Sequence, residues 1–206
     1  MADGYPEEFQ TRLVPEGAIK IPLPDIQQPN GYSCGAAALM AIASYYHRGP
    51  HDIQAFETLL GTTPEEGTDY RKIVACARQL DLQVEVQVGM SLGRLKSWLN
   101  RGVPVICSIQ AYSPHVGSYS LNQNDSGHYV VGVGYDSEGY LYFMDPDSQS
   151  RVPELPNPAY AAIHQEDMLL RWHDNEGTVT HPEIVYHLGI AICPKDSPCL
   201  RVRIID

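Results

Sequence analysis

The stretch Gln28-Pro-Asn-Gly-Tyr-Ser-Cys34-Gly-Ala-Ala-Ala-Leu39 decides how this chain is read. Pro29-Asn30-Gly31 is turn chemistry. From Cys34 onward the residues become small and apolar, with Ala36, Ala37, Ala38, Ala41 and Ala43 around Met40 and Ile42. Small residues on every face predict a helix from Cys34 to about His47, buried at the centre of a core. Cys34 therefore stands at a loop-to-helix junction, and Gly31 and Gly35 leave its thiol sterically open. A thiol in a first helical turn meets the positive end of the helix dipole and backbone N–H groups without intrahelical partners. That setting favours the thiolate, the nucleophilic form. Gln28 places a side-chain amide six residues upstream.

Two downstream segments complete a chemical set. Gly127-His128-Tyr129-Val130-Val131 opens an apolar strand with a histidine, and Tyr142-Phe-Met-Asp145-Pro146 closes the next strand with a carboxylate. Ser137-Glu138-Gly139 between them is a hairpin signal. The midpoint of positions 128 and 145 falls at the Asp136–Ser137 bond, beside that turn, so the expected register sets His128 roughly opposite Asp145. Taken singly, His128 also reads as a satisfied core residue and Asp145 as a turn former before Pro146. Gly127, Gly132 and Gly134 flank the strand and predict close approach of another backbone. Gln, Cys, His and Asp supply an amide donor, a nucleophile, a base and an orienting carboxylate, which together suit acyl transfer at sulfur.

Helices are expected at 52–60, ending at Gly61, and at 69–80. A further one follows Ser91 and carries Leu92, Leu95, Trp98 and Leu99. Alternating Leu82, Val84, Val86 and Val88 mark a strand. Further strands are expected at 103–110, 128–136, 140–145, near 184–192 and at 200–205, with a helix near 165–173 and a short edge strand at 18–23 stopped by Pro22 and Pro24. Helices fill the first half and strands the second, which is an α+β pattern. Residues 1–17 read as a lead-in and 18–206 as one domain, with a helical lobe at about 28–100 and a β lobe at about 103–206.

The chain has 206 residues, 43% of them hydrophobic, enough for one substantial core. A formal charge of −11 repels phosphate backbones and anionic lipid, so nucleic acid is not an expected partner. The N-terminus Met-Ala-Asp-Gly-Tyr-Pro-Glu-Glu has no basic or apolar signal region, and no stretch is long enough to span a bilayer. A cytoplasmic chain is expected. Its five cysteines, an odd count, argue against a disulfide framework. Cys76 and Cys107 read as buried small hydrophobes and Trp172 as core. Cys193 and Cys199 read as plain thiols, with closing a small loop or helping to bind a metal as the alternatives. No motif for a metal, a nucleotide or another cofactor is present.

The segments that carry these features resemble the papain-like bacteriocin-processing peptidases, which cleave double-glycine leader peptides. The shared motifs are Gln28 to Gly35, Leu60-Gly-Thr-Thr with Gly67-Thr68, Gly102-Val-Pro-Val-Ile106, His128-Tyr-Val-Val-Gly-Val-Gly-Tyr, Phe143-Met-Asp-Pro146 and Arg171-Trp-His-Asp174. The resemblance implies a papain-like fold, with the nucleophile at a helix N-terminus of a helical lobe packed on an antiparallel sheet. It implies peptide-bond hydrolysis through a thioester, acting on a peptide or protein substrate. Cys34 would be the nucleophile, His128 the general base and acid, Asp145 its orienter and Gln28 an oxyanion donor. The best-known relatives are domains of membrane exporters with an ATPase, whereas this chain resembles a stand-alone member. An acyl transferase like the phytochelatin synthases shares every residue named, and a non-catalytic peptide-binding module is the other alternative.

Overall fold

The computed structural model describes residues 14–112, 119–124, 126–148, 160–177 and 180–197. Helix α1 (Cys34–Tyr45) is the buried centre that its composition predicts: every residue from Gly35 to Ala43 is buried. At such positions one larger side chain overpacks the core, at about 1–3 kcal/mol. Helices α2 (Ile53–Leu60) and α3 (Tyr70–Gln79) pack against α1 and each other. Both start on aspartate caps: Asp52 accepts from the Ala55 N–H (3.1 Å) and Asp69 from the Arg71 N–H (2.7 Å). Gly61 ends α2 in the left-handed region (φ 57°), as expected of a glycine stop. Strand β1 (Leu82–Gln87) precedes α4 (Leu92–Asn100), which Ser91 caps through the Arg94 N–H.

The second half builds the sheet. Strands β2 (Val105–Gln110), β3 (Gly127–Tyr135), β4 (Tyr140–Met144) and β5 (Ala161–His164) are followed by α5 (Gln165–Arg171), β6 (His173–Asn175), β7 (Ile184–Tyr186) and β8 (Gly189–Pro194). Six of them form one antiparallel sheet in the order β1-β8-β2-β3-β4-β5, and β6 pairs with β7. Helix α1 packs on β3 and α4 on β2 and β3. All of β2 and most of β3 are buried, and Trp172 lies in the core with its indole N–H on the Leu188 carbonyl (2.8 Å).

Three expectations change. The edge strand at 18–23 is a single bridge, Ile19 to Gly134, because Pro22 and Pro24 cannot extend a ladder. Gly134 has the role that its small size suggests: a Cβ there would lie 2.0 Å from the Ala18 carbonyl oxygen. The strand near 184–192 is two strands, since His187 turns the backbone left-handed (φ 53°) between them. The expected strand at 200–205 and Cys199 lie outside the described residues.

The third change concerns the hairpin. Val131 pairs with Met144 and Gly132 with Phe143, with an irregularity between Gly132 and Gly134. Continued past Met144, that register sets Asp145 against Val130 and not His128. The slip is two residues, and a slip of two keeps side chains on the same face. His128 and Asp145 meet as diagonal neighbours.

Candidate active site

Cys34 is the first residue of α1 and is half-buried. Ser33 precedes it as the N-cap residue, but its side chain makes no cap hydrogen bond. Its hydroxyl instead pairs with Asn30 Oδ1 (2.6 Å) and with the Glu57 carboxylate, and Asn30 Nδ2 donates to the same carboxylate (3.1 Å). The turn before the cysteine is thus pinned to α2, and the start of α1 is left uncovered by a capping side chain.

His128 stands on β3 with its side chain buried, opposite Ile109 of β2. Nε2 lies 2.7 Å from Oδ1 of Asp145, which is also buried. The same oxygen accepts from the Asp147 N–H (2.9 Å), which holds the carboxylate at the strand end. The Cys34 thiol and the imidazole line the same cleft, close enough for the sulfur to act on the charge of the ring. Burial opposes charging the ring, but the Asp145 charge, its hydrogen bond and the nearby Cys34 outweigh it and bring the imidazole pKa up to about 9. On the other ring nitrogen, Nδ1, the Tyr112 hydroxyl lies at 3.3 Å.

Gln28 reaches this cluster through its backbone. Its N–H donates to the Pro146 carbonyl (2.7 Å), next to Asp145, while the Gln27 amide donates to the Asp145 carbonyl (3.3 Å) and Ser148 (3.0 Å). The Gln28 side-chain oxygen is buried with no hydrogen-bond partner among the described residues. Of the four residues singled out in the sequence, Cys34, His128 and Asp145 come together, and Gln28 is tied beside Asp145.

A second pair of acids was not singled out. Asp174 on β6 accepts from Ser108 (3.2 Å), the Gln110 amide (2.9 Å) and the Asn175 N–H (2.8 Å). Its carboxylate occupies the space beside Gly127, where a Cβ would lie 2.1 Å from Oδ2. Gly127 therefore admits a carboxylate and not, as expected, a backbone. Glu176 accepts from the Tyr129 hydroxyl through Oε2. Burial raises the pKa of Asp174 to about 6 and that of Glu176 to about 7. The sequence signal for Asp174 was its place at the end of the shared motif Arg171-Trp-His-Asp174, which assigned it no role, and Glu176 had none. Gly35, read as leaving the thiol open, instead admits Thr68: a Cβ there would lie 2.7 Å from the Thr68 Cβ.

The other cysteines differ from Cys34. Cys76, Cys107 and Cys193 are buried, and desolvation pushes the Cys76 and Cys107 thiols up. Among the described residues no group of three or more histidine, cysteine or acidic side chains could hold a metal ion. Among the same residues no helix is long and apolar enough to cross a membrane.

Helices packed on an antiparallel sheet, with a cysteine opening the central helix, define a papain-like cysteine peptidase fold. The sequence profile described as the Peptidase_C39 like family matches residues 20–175, and the chain belongs to that family, whose members are cysteine-type hydrolases. Solved structures share the fold. A C39-like peptidase from Bacillus anthracis is 16% identical with a TM-score of 0.60, over 87% of this chain and 98% of that one. The peptidase domain of Streptococcus ComA, a bifunctional ABC transporter of a quorum-sensing pathway, is 19% identical with a TM-score of 0.57, over 82% and 97%. A double-glycine-motif protease from an AMS/PCAT transporter, in complex with the leader peptide, is 16% identical with a TM-score of 0.54, over 84% and 92%. No curated protein matches the chain significantly.

Proposed function

We propose that the protein hydrolyses peptide or amide bonds through a thioester on Cys34, with His128, Asp145 and Gln28 completing the site. One observation carries this reading: Cys34, at the start of α1, shares a cleft with a buried imidazole whose Nε2 is held 2.7 Å from a buried carboxylate. Asp145 is an acceptor when ionised, so Nε2 keeps its proton and Nδ1, which the Tyr112 hydroxyl approaches at 3.3 Å, is the nitrogen that takes the thiol proton. Proton transfer from sulfur to Nδ1 gives a thiolate–imidazolium pair.

The thiolate attacks the substrate carbonyl carbon, forming a C–S bond. The imidazolium protonates the departing amine as the C–N bond breaks. Water, deprotonated by His128, then attacks the thioester and releases the acid. The oxyanion of each tetrahedral intermediate takes hydrogen bonds from the Cys34 backbone N–H and the Gln28 amide, groups worth about 3 kcal/mol each in such sites. The likeness to a protease solved with its leader peptide supports a peptide as substrate. We read residues 18–206 as one domain for this work.

The test is cleavage profiling against a diverse peptide library, with Cys34→Ala as control. Cleavage that depends on Cys34 is the expected result. Cleavage that survives Cys34→Ala, or fast alkylation of Cys76 or Cys107 ahead of Cys34, would overturn the reading.

A further inference from the structure

The cleft beside Cys34 and His128 opens into a cavity of about 500 Å³. That is within the range of small-ligand sites, roughly 300–1,000 Å³. Its wall is strongly acidic: Glu65, Glu66, Asp69, Asp174 and Glu176 line it. Apart from His128, the only cation among the lining residues is Lys72, and its Nζ donates to the Gly61 carbonyl (3.2 Å). Arg71 comes near but is engaged elsewhere, on the Glu183 carboxylate (2.6 Å) and the main-chain carbonyl of Glu176 (3.2 Å).

Glu176 makes this more than an acidic patch. Its residue is 6% exposed, it lines the cavity, and its Oε1 is buried with no hydrogen-bond partner among the described residues. A buried carboxylate oxygen without a partner costs stability, and an apolar side chain or a glutamine would avoid much of that cost. Oε2 is already taken by Tyr129. The missing group is a donor, and with the Asp174 and Asp69 carboxylates acting on the same side chain it is best a cation.

We propose that this cavity is a substrate subsite for an organic cation, a lysine or arginine side chain or an amino terminus next to the scissile bond, with Glu176 as the residue that selects it. The site rests on the catalytic reading of Cys34 only in that it places the cation beside the bond cleaved. Glu176 with its raised pKa is poised for such a guest: an arriving ammonium or guanidinium draws the carboxyl to its ionised form and supplies Oε1 with a donor. Asp174, held by Ser108, Gln110 and Asn175, adds field without needing the guest. Two glycines would leave a cavity of this size and charge empty.

Binding to the Cys34→Ala protein tests the subsite without turnover. The probes are acetylated, amidated alanine octapeptides in which one arginine is moved along the chain, and the same peptides with citrulline, which keeps the shape and removes the charge. Calorimetry at low salt should show at least one position where arginine binds about tenfold or more tightly than citrulline. Adding Glu176→Gln should bring that ratio below about threefold, with a thermal melt checking the fold. A third set, citrulline peptides with a free amino terminus, separates a terminal amine from a side chain. Equal binding of arginine and citrulline peptides at every position, with no gain from a free terminus, would overturn the proposal even if Glu176→Gln fails to fold. A preference that persists undiminished in a folded Glu176→Gln would remove Glu176 from it. Loss of cleavage in the unmutated protein would instead count against the catalytic reading and leave the binding result standing.

Discussion

Two sets of buried acids serve one cleft, Asp174 and Glu176 by lining it and Asp145 by backing His128, and they are built differently. Asp145 faces the His128 ring at 2.7 Å, so its charge has an internal counterpart. Asp174 and Glu176 are held by a serine, an amide, a backbone N–H and a tyrosine, none of them a cation. Burial moves both kinds of group, but the outcome follows the partner. With a carboxylate beside it, the buried imidazole keeps its proton to about pH 9. Without a cation, the buried carboxyls keep theirs to about pH 6 and 7. A charge matched inside the protein serves the protein's own chemistry, and a charge left unmatched waits for something from outside.

The largest effect expected is on the matched cluster. Cys34→Ala or His128→Ala should reduce kcat by about 10⁶-fold, the scale for removing either member of a pair that acts as a unit. The measurement is peptide cleavage, and a loss below a hundredfold for either would break the distinction at its strongest point. Gln28→Ala should come next, at roughly 10²–10³ in kcat, since its amide meets charge only near the transition state. Cys34 should remain as reactive to iodoacetamide in that variant. If alkylation fails as well, the Gln28 side chain supports the fold and not the reaction, since the backbone bond to Pro146 survives the substitution.

The matched cluster was legible in the sequence and the unmatched one was not. Cys34, His128 and Asp145 each sit in a local pattern: a turn before a helix, a glycine before a strand, a proline after one. Their meeting survived a wrong register because the one-residue shift between Gly132 and Gly134 leaves the pairing at the strand ends two residues from the expected one, and an even slip keeps side chains on the same face. Asp174 and Glu176 reach the cleft only because β6 folds back against β2 and β3, a contact with no local signature. Gly127 carried the trace of that contact, but an absent side chain does not say whether a backbone or a carboxylate fills the space. The break at His187 was equally hidden, since a histidine in a left-handed conformation leaves no mark on an apolar run.

Asp145→Asn sharpens the comparison by removing a charge and little else. The asparagine Oδ1 can still accept from His128 and from the Asp147 N–H, so the geometry has no reason to move. Burial of the ring then meets no carboxylate to oppose it, and the imidazolium loses its proton at lower pH. In the parent enzyme the basic limb of the kcat/KM profile should stand near the imidazole value of about 9, and in Asp145→Asn it should fall clearly below it. A profile that overlays the parent at every pH would mean that Asp145 is only the turn residue before Pro146.

The smallest effect falls on the unmatched cluster and is read in stability. Burial raises the Glu176 pKa from 4.5 to about 7, so between those values the folded protein holds a proton that the unfolded chain has lost. Stability from this group is therefore full below about pH 4.5 and is lost as pH rises towards 7. The raised Asp174 and His128 add slopes of the same sign, the first from 3.8 to about 6 and the second from 6.5 to about 9. For that reason the useful quantity is a difference. Glutamine at 176 can accept from Tyr129 and does not titrate, so Tm of the parent minus Tm of Glu176→Gln isolates the one carboxyl. That difference should fall between pH 4.5 and 7 and then level off, by about 10 °C in all, since a pKa raised from 4.5 to about 7 is worth about 3 kcal/mol and each kcal/mol about 2–4 °C for a chain of this size. An arginine peptide seated in the cavity should flatten the fall, because the guest stabilises the ionised form. A difference that is level across the whole range would mean that Glu176 is already matched by a group within the fold, and the contrast between the two clusters would be lost.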